Sequence, residues 1–366
     1  MKILFDLTPL NDNFSGIERF ALNISKNIIE NDDTHNYILV FKNELHRDFI
    51  NISKRSNVKI IILYGKNKLI FSQITILKTL YKEKADYYLF LSFPAPLLFF
   101  NKKSISAIHD IGCWDCPKAM TTKSVIYFRI LYWKATRLDK KIITVSNFSK
   151  KRIMEKLNVI ENNIIVIYNG ISDTFKKNIL ITNDIFSKYN IPKNYLLCLA
   201  TLEPRKNLKL LIEAYNELIN EQEFNFPLVL AGRKGWKIDD LLQNISDKAK
   251  NNIYFTGFVD DEDLPLLYKN CQLFIFPSLY EGFGIPPLEA LYMGKKVLVS
   301  NLEVFHEVFQ DNVYYFKSND IASLKESINN ILTNKVSEKK IDINNFKHLD
   351  WSIQGLKLLN YLSQIK

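Results

Sequence analysis

Cysteine is scarce. Cys113, Cys116, Cys198 and Cys271 are the whole complement of a 366-residue chain, too few for a disulfide scaffold and in keeping with a reducing compartment. Long apolar runs are missing too. No stretch reaches the roughly 18 to 20 consecutive apolar residues of a membrane helix, and the opening MKILFDLTPLNDNFSG meets Asp6 before a signal-like apolar core forms. A cytoplasmic chain is the expectation. Fixed-period repeats and low-complexity tracts are absent, and 47% apolar with 24% charged residues is ordinary globular composition, which excludes a fibre or a disordered tail.

Acidic residues run short in one half only. Residues 1–185 hold 28 Lys/Arg against 17 Asp/Glu, a surplus of 11, whereas residues 186–366 hold 21 against 22, a deficit of one. A cationic half suits nucleic acid, anionic lipid or a phosphorylated ligand, or is simply a solvated lysine-rich surface. It carries no aromatic-basic recognition motif, so no nucleic-acid partner is expected.

The length suits two domains, each able to bury a core. Short apolar runs alternate with stretches of helical period: KILFDL, IERFALNISKNII, YILVF, VKIIIL, YYLFLS, SISAIHD and KIITVS. This is the βαβ pattern of a parallel sheet covered by helices. The rhythm restarts after Ile191 with YLLCLAT, PLVLAG, NIYFTG, LFIFPS and KKVLVS, separated by helical segments. The polar stretch Asn169 to Asn194 reads as an irregular linker. We therefore expect residues 1–170 as one domain and 171–345 as a second with its linker. Residues 346–366, with Trp351, Leu356, Leu359 and Leu362 at near-helical spacing, read as an amphipathic helix packing back onto a domain. Ligands of such domains bind at the carboxyl ends of the strands.

The segment PSLYEGFGIPPLEALYMG, Pro277 to Gly294, reads as strand end, turn and a helix beginning at proline. Gly282 and Gly284 let backbone amides approach a ligand, and the helix N-terminus favours phosphate. Glu289 is expected in the first helical turn, where it either complements the helix dipole or accepts hydrogen bonds from a ribose. Glu281, in the turn, suits a sugar ring. In CLATLEPRKNLKLLIEAY, Arg205 and Lys206 sit where a strand enters a helix, a pairing that suits a diphosphate or a merely solvated first turn.

Taken together, EPRKN, PLVLAG, TGFVDDEDLPLLY and PSLYEGFGIPPLEALYMGKKVLVSN followed by Glu307 resemble the family 4 retaining glycosyltransferases of the GT-B fold, most densely over Tyr195 to Phe316. The resemblance implies an α/β protein of two Rossmann-like domains facing across a cleft. It places Glu281 by a donor sugar and Glu289 on the nucleotide ribose. Arg205 and Lys206 would hold the donor diphosphate, and backbone amides of Phe283, Gly284 and Ile285 would contact the sugar and phosphates. Phe258 and Val259 would lie near the nucleobase. In the first half, LTPLNDNFSGIERFALNI looks like the family's first loop and helix, with Gly16 close to the cleft and Arg19 on the acceptor side; Ser15 to Arg19 alone equally fits a helix cap. His109 matches the family's cleft histidine, expected to bond the donor sugar.

Three features compete with that reading. His109, Cys113 and Cys116 form H-x3-C-x2-C, which suits zinc or redox chemistry, although no fourth ligand is evident. Asp260, Asp261, Glu262 and Asp263 resemble metal-binding carboxylates but precede a helix, where acids favour the N-terminus. The basic and aromatic stretch Tyr127 to Lys141 suits an anionic membrane surface or an ordinary covering helix. The expectation is a metal-independent hexosyltransferase without a resident cofactor. GDP-mannose is the favoured donor, and a saccharide or lipid-linked saccharide the acceptor, in O-antigen or capsule assembly on the inner face of the cell membrane. Rhamnosyl, glucosyl or N-acetylhexosaminyl donors, or nucleotide-sugar binding without turnover, are the alternatives.

Overall fold

Parallel strands must be joined by crossovers of a dozen or more residues, usually helical, and the spacing of the apolar runs supplies them. The computed structural model describes residues 1–10, 16–176, 184–221, 224–233, 235, 241–339 and 341–365. Among these, two parallel sheets form, of seven and six strands. The chain divides into two units. The first comprises 1–114, 121–170 and 348–366, and the second 115–120 and 171–347.

In the first unit the strands are β1 (Lys2–Asp6), β2 (Asn36–Lys42), β3 (Val58–Leu63), β4 (Tyr87–Phe90), β5 (Ser104–Ala107), β6 (Lys141–Thr144) and β7 (Ile164–Val166). Their spatial order is β3-β2-β1-β4-β5-β6-β7. Strand order reverses between β1 and β4, which creates a switch point where the loops after these strands part. Continuous apolar strands such as YYLF are buried on both faces by helices, as parallel sheets require. The terminal helix Trp351–Gln364 packs on helix Gly16–Glu30, and Trp351 meets Phe20 edge-on with ring centroids 6.1 Å apart. Two glycines permit this docking: a Cβ on Gly170 would lie 2.4 Å from the Trp351 amide nitrogen, and one on Gly355 would lie 3.2 Å from Asn27 Cβ. Gln354, buried beneath it, accepts from the Tyr168 amide at 3.0 Å and donates to the His348 carbonyl at 2.8 Å.

The second unit contains β8 (Tyr195–Leu199), β9 (Leu228–Ala231), β10 (Ile253–Gly257), β11 (Cys271–Phe276), β12 (Val297–Ser300) and β13 (Tyr314–Phe316), ordered β10-β9-β8-β11-β12-β13. Here the reversal falls between β8 and β11. The stretch read as an irregular linker holds short helices at Asp173–Lys176 and Ile185–Tyr189, with 177–183 outside the described residues. Buried Ile171, Phe175, Ile185 and Ile191 anchor it, which explains why it is not extended coil. Of the segment between β9 and β10, residues 236–240 lie outside the described residues, and a helix capped by Ser246 runs from Asp247 to Asn251.

Several basic residues of the Tyr127 to Lys141 stretch are committed to the protein. On helix Thr122–Leu138, Lys134 is buried and lies 3.4 Å from Asp139, Arg129 Nε donates to the Cys113 carbonyl at 3.0 Å, and Arg137 reaches the Leu157 carbonyl at 3.4 Å. No helix among the described residues is long and apolar enough to cross a membrane.

Candidate functional site

In the second unit the loops after β8 and β11 adjoin because these strands are neighbours at the switch point. The chain leaving β8 tightens into a 3-10 turn, Pro204–Lys206, and Asn207 adopts a left-handed conformation with φ 54° before helix Leu208–Ile219 begins. Asparagine tolerates that geometry better than most residues. The Leu279 amide, from the chain leaving β11, donates to the Arg205 carbonyl at 2.9 Å and locks the two loops in register.

That register brings three expected residues together. Lys206 Nζ lies 2.6 Å from Glu281 Oε1, Arg205 Nη1 lies 3.4 Å from Oε2, and Ser278 Oγ donates to Oε1 at 2.7 Å. Arg205 Nε also pairs with Glu203 at 3.1 Å. The Lys206 ammonium sits 5.1 Å from the Phe276 ring centroid. Burial alone would raise the Glu281 carboxyl, but the adjacent Lys206 and Arg205 charges, with hydrogen bonds from Lys206 and Ser278, hold it below its ordinary range. Of a carboxylate's roughly four acceptor positions, three therefore serve the protein. Glu281 is left able to take one further hydroxyl.

The turn ends at Gly284, whose φ of +109° is closed to other residues without strain. A Cβ there would also meet Phe305 at 2.9 Å, so this glycine serves packing as well as backbone approach. Helix Ile285–Tyr292 follows, with prolines inside its first turn and the Phe283 side chain buried. Glu289 is its fifth residue, not part of the first turn as expected, because the helix begins at Ile285. Its buried carboxylate accepts from Tyr268 Oη at 2.8 Å. Glu289 lies past the first turn, where the helix-dipole effect is concentrated.

Near the expected nucleobase position, Phe258 is partly exposed and Val259 buried. The Arg233 guanidinium stands 5.9 Å from the Phe258 ring centroid. Arg233 follows Gly232, where φ is +135° and a Cβ would lie 2.0 Å from the Ala200 carbonyl oxygen. The acidic run is structural in a way that differs from expectation. Asp263 precedes helix Leu264–Asn270 without a side-chain cap bond; it accepts from Tyr189 Oη at 2.7 Å and Lys188 Nζ at 2.5 Å, and Asp260 meets the same lysine at 2.7 Å.

In the first unit His109 lies two residues past β5. Its Nε2 donates to the Leu91 carbonyl at 2.9 Å, and Phe20 meets the imidazole edge-on at 5.0 Å. Burial lowers its pKa, opposed by the Leu91 hydrogen bond and the nearby Asp110 and Glu18 charges. The ring is therefore neutral at pH 7 and keeps Nδ1 as an acceptor. Gly16 is the exposed first residue of its helix and Arg19 lies in the first turn, while residues 11–15, including Ser15, fall outside the described residues. Asp6 ends β1 and accepts from the Thr8 amide and hydroxyl at 3.1 and 2.7 Å; burial nonetheless pushes its carboxyl up to about 6. Among the described residues no group of three His, Cys, Asp or Glu is placed to hold a metal, His109 with Cys113 and Cys116 included. Burial pushes Cys198 and Cys271 up to about 12, so these core thiols stay protonated.

The family model described as "Glycosyl transferases group 1" matches residues 182–348, which span this loop arrangement. The match covers nearly the whole of the second unit, which is similar to group 1 glycosyl transferases. Among curated proteins, O-antigen chain mannosyltransferase B of Escherichia coli is 33% identical over 230 residues, 62% of this chain and 60% of that protein. O-antigen chain mannosyltransferase RfbU of Salmonella typhimurium is 31% identical over 225 residues, 61% of this chain and 59% of that protein. The chain thus spans about three-fifths of the length of these relatives. WaaG, a glycosyltransferase involved in lipopolysaccharide biosynthesis, aligns over 100% of this chain and 96% of its own with a TM-score of 0.68 at 15% identity. The fold is accordingly GT-B, with its two parallel α/β units.

Four partners in these arrangements lacked a sequence signal strong enough to assign them. Ser278 stands three residues before Glu281, a Ser-x-x-Glu spacing that hinted at a local bond. Tyr268, Arg233 and the Leu91 carbonyl meet their partners only through strand order, across 21, 25 and 18 residues of sequence.

Proposed function

We propose that the chain is a retaining hexosyltransferase. It moves mannose from GDP-mannose to a saccharide carried on a lipid or oligosaccharide, at the inner face of the cell membrane, during surface-polysaccharide assembly. The observation that carries this reading is the convergence of Arg205 and Lys206 on Glu281 at the switch point of a unit similar to group 1 glycosyl transferases. Lys206 has two further N–H donors and so can serve a diphosphate while still touching Glu281, and Arg205, braced on Glu203, Tyr280 and Glu281, adds a fixed positive charge beside it. Charge developing on the departing diphosphate is met by cations already held in place, which lowers the barrier without reorganisation. The remaining acceptor position of Glu281 orients the hexose. Phe258, flanked by Arg233, offers a stacking face for the base, and Glu289, fixed by Tyr268, faces the ribose role. The neutral His109 accepts a sugar hydroxyl at Nδ1. The mannosyl choice follows the names of the two O-antigen relatives.

Thermal shift against GDP-, UDP- and dTDP-sugars tests the donor, and release of GDP from GDP-mannose with lipid-linked acceptor tests transfer. Stabilisation by GDP-mannose that is lost in the Arg205→Ala/Lys206→Ala double variant is expected. An unchanged shift in that variant, or product of inverted anomeric configuration by NMR, overturns the assignment.

A further inference from the structure

Part of the exposed apolar surface of the first unit is gathered on two helical segments. On helix Thr122–Leu138, Ile126, Ile130 and Trp133 are 55%, 50% and 58% exposed, and their spacing of four and three residues puts them on one stripe. A second group lies on the helical segment 68–82, which contains a π-turn at Phe71–Thr75: Ile70 and Ile74, 53% and 60% exposed, stand one turn apart while Phe71, Ile76 and Leu80 face the core. Hydrogen bonds join the groups. Gln73 Nε2 donates to Tyr127 Oη at 3.0 Å, and Gln73 Oε1 accepts from the Leu97 amide at 2.9 Å, beside Leu98, which is 58% exposed. Apolar side chains clustered in this way mark a docking surface, since soluble surfaces seldom leave them uncovered.

Charge decides the occupant. Between residues 66 and 84 the sequence has five lysines and one acid, Glu83, and that acid is paired with Lys59 at 2.8 Å. Exposed Lys123 adds to the rim at the start of the other helix. A second copy of this lysine-rich face would bring no matching negative charge, whereas an anionic leaflet offers both headgroup charge and apolar depth. We infer that Ile70, Ile74, Leu98, Ile126, Ile130 and Trp133 form the surface by which the first unit seats itself in an anionic lipid leaflet, with the lysines engaging headgroups. Indole rings prefer the headgroup level, and short apolar side chains reach just beneath it. The contact is made by these apolar residues, not by the buried and internally bonded cations of Tyr127 to Lys141. This deepens the membrane-side part of the proposed function and rests on it.

Vesicle flotation with the full chain tests the surface, using phosphatidylglycerol–phosphatidylethanolamine and pure phosphatidylcholine vesicles at low and high salt. Binding only to anionic vesicles, weakened by salt, is expected. The triple variant Ile126→Gln/Ile130→Gln/Trp133→Gln and the double variant Ile70→Gln/Ile74→Gln should each bind at least roughly tenfold more weakly, with the nucleotide-sugar thermal shift unchanged. Quenching of tryptophan fluorescence by brominated lipid should fall in Trp133→Tyr, a change mild enough to leave folding intact. No binding of the unsubstituted chain to anionic vesicles, binding by the variants equal to it, or a concentration-dependent dimer that the same variants abolish while vesicle binding persists would each overturn the inference. Loss of vesicle binding with an intact nucleotide shift leaves the donor site standing, and the converse result removes the transferase reading while leaving the surface.

Discussion

The two units build the same parallel sheet and then finish its switch point in opposite ways. In the second unit the loops after β8 and β11 carry full charges, Arg205 pairing with Glu203 and Glu281 and Lys206 with Glu281. In the first unit the strand ends carry a neutral His109, an Asp6 whose carboxyl burial pushes up to about 6, and buried oxygens of Ser92, Thr144 and Asn169 that no described protein group pairs. A charged, cross-braced edge is organised for an anion, because its cations need not move when the anion arrives. A weakly charged edge whose neutral imidazole keeps an acceptor suits a ligand made of hydroxyls. Under the proposed function, the first receives the diphosphate of the donor and the second the neutral sugars.

The sharpest way to break this contrast is to strip the charge from the second unit. Arg205→Ala/Lys206→Ala should lower turnover about 10³-fold, in the range seen when positioned electrostatic donors are removed. It also leaves Glu281 buried without a cation, so Tm should fall as well. Adding Glu281→Gln to the double variant should restore Tm but not turnover, as steady-state kinetics and thermal unfolding will show. The sign of the pH dependence follows. Glu281 is held below its ordinary range in the folded state, so its contribution to stability is present above the unfolded carboxyl pKa, near 4.5, and is lost as pH falls toward the folded value. That acid-side loss should disappear in Glu281→Gln.

Legibility differed between the units for the same physical reason. Apolar runs such as KILFD and CQLFIF announced their strands because a short continuous apolar run bounded by polar segments is what a buried parallel strand requires. Edge strands Ile164–Val166 and Tyr314–Phe316 went unread, being three residues long and too short to show a period. Arg205, Lys206, Glu281 and Gly284 were legible because each carries its chemistry locally, in a turn or at a strand end. Their mutual pairing was not, since only the β8–β11 adjacency makes it. The Glu289–Tyr268 bond and the His109–Leu91 bond were invisible for the same reason. Glu289 was misplaced by part of a turn because prolines at 286 and 287 mark a helix start only to within a residue or two.

Lys134 and Asp139 offer a control within the first unit, a buried ion pair with no ligand to serve. Burial lowers the lysine and raises the carboxyl, each opposed by its partner, and Ser106 adds a hydrogen bond to Asp139. Lys134→Ala should destabilise by about 3 kcal/mol or more by stranding the carboxylate, whereas Lys134→Met with Asp139→Leu should lie close to the parent in denaturant unfolding. The matching apolar double replacement at Lys206 and Glu281 should abolish turnover however well it folds. If it does not, the charged edge is merely structural and the contrast between the units collapses.

Asp6→Asn tests the weakly charged edge directly. A carboxyl raised from 3.8 to about 6 favours its neutral form in the fold, so ionisation costs stability that grows as pH rises through that window and is complete above it. At about 1.36 kcal/mol per pKa unit, Asn should stabilise the chain by about 3 kcal/mol at pH 8 and by nearly nothing at pH 3. A parallel shift at both pH values would mean that Asp6 is not strained by burial.

The smallest effect separates a fixed carboxylate from a merely buried one. Tyr268→Phe keeps the ring against Phe175 and Phe274, whose centroids lie 5.9 and 5.4 Å away, and deletes only the hydroxyl that holds Glu289. Loss of a hydrogen bond to a charged group should cost about 1.5–3 kcal/mol of stability. If Glu289 is held for the ribose, GDP affinity should drop several-fold in calorimetry while turnover at saturating donor is kept, because a loosened carboxylate weakens binding of ground state and transition state alike. If GDP binds the variant as tightly as the parent, the Tyr268–Glu289 bond is a packing feature of the core, and the donor side of the comparison rests on the Arg205, Lys206 and Glu281 cluster alone.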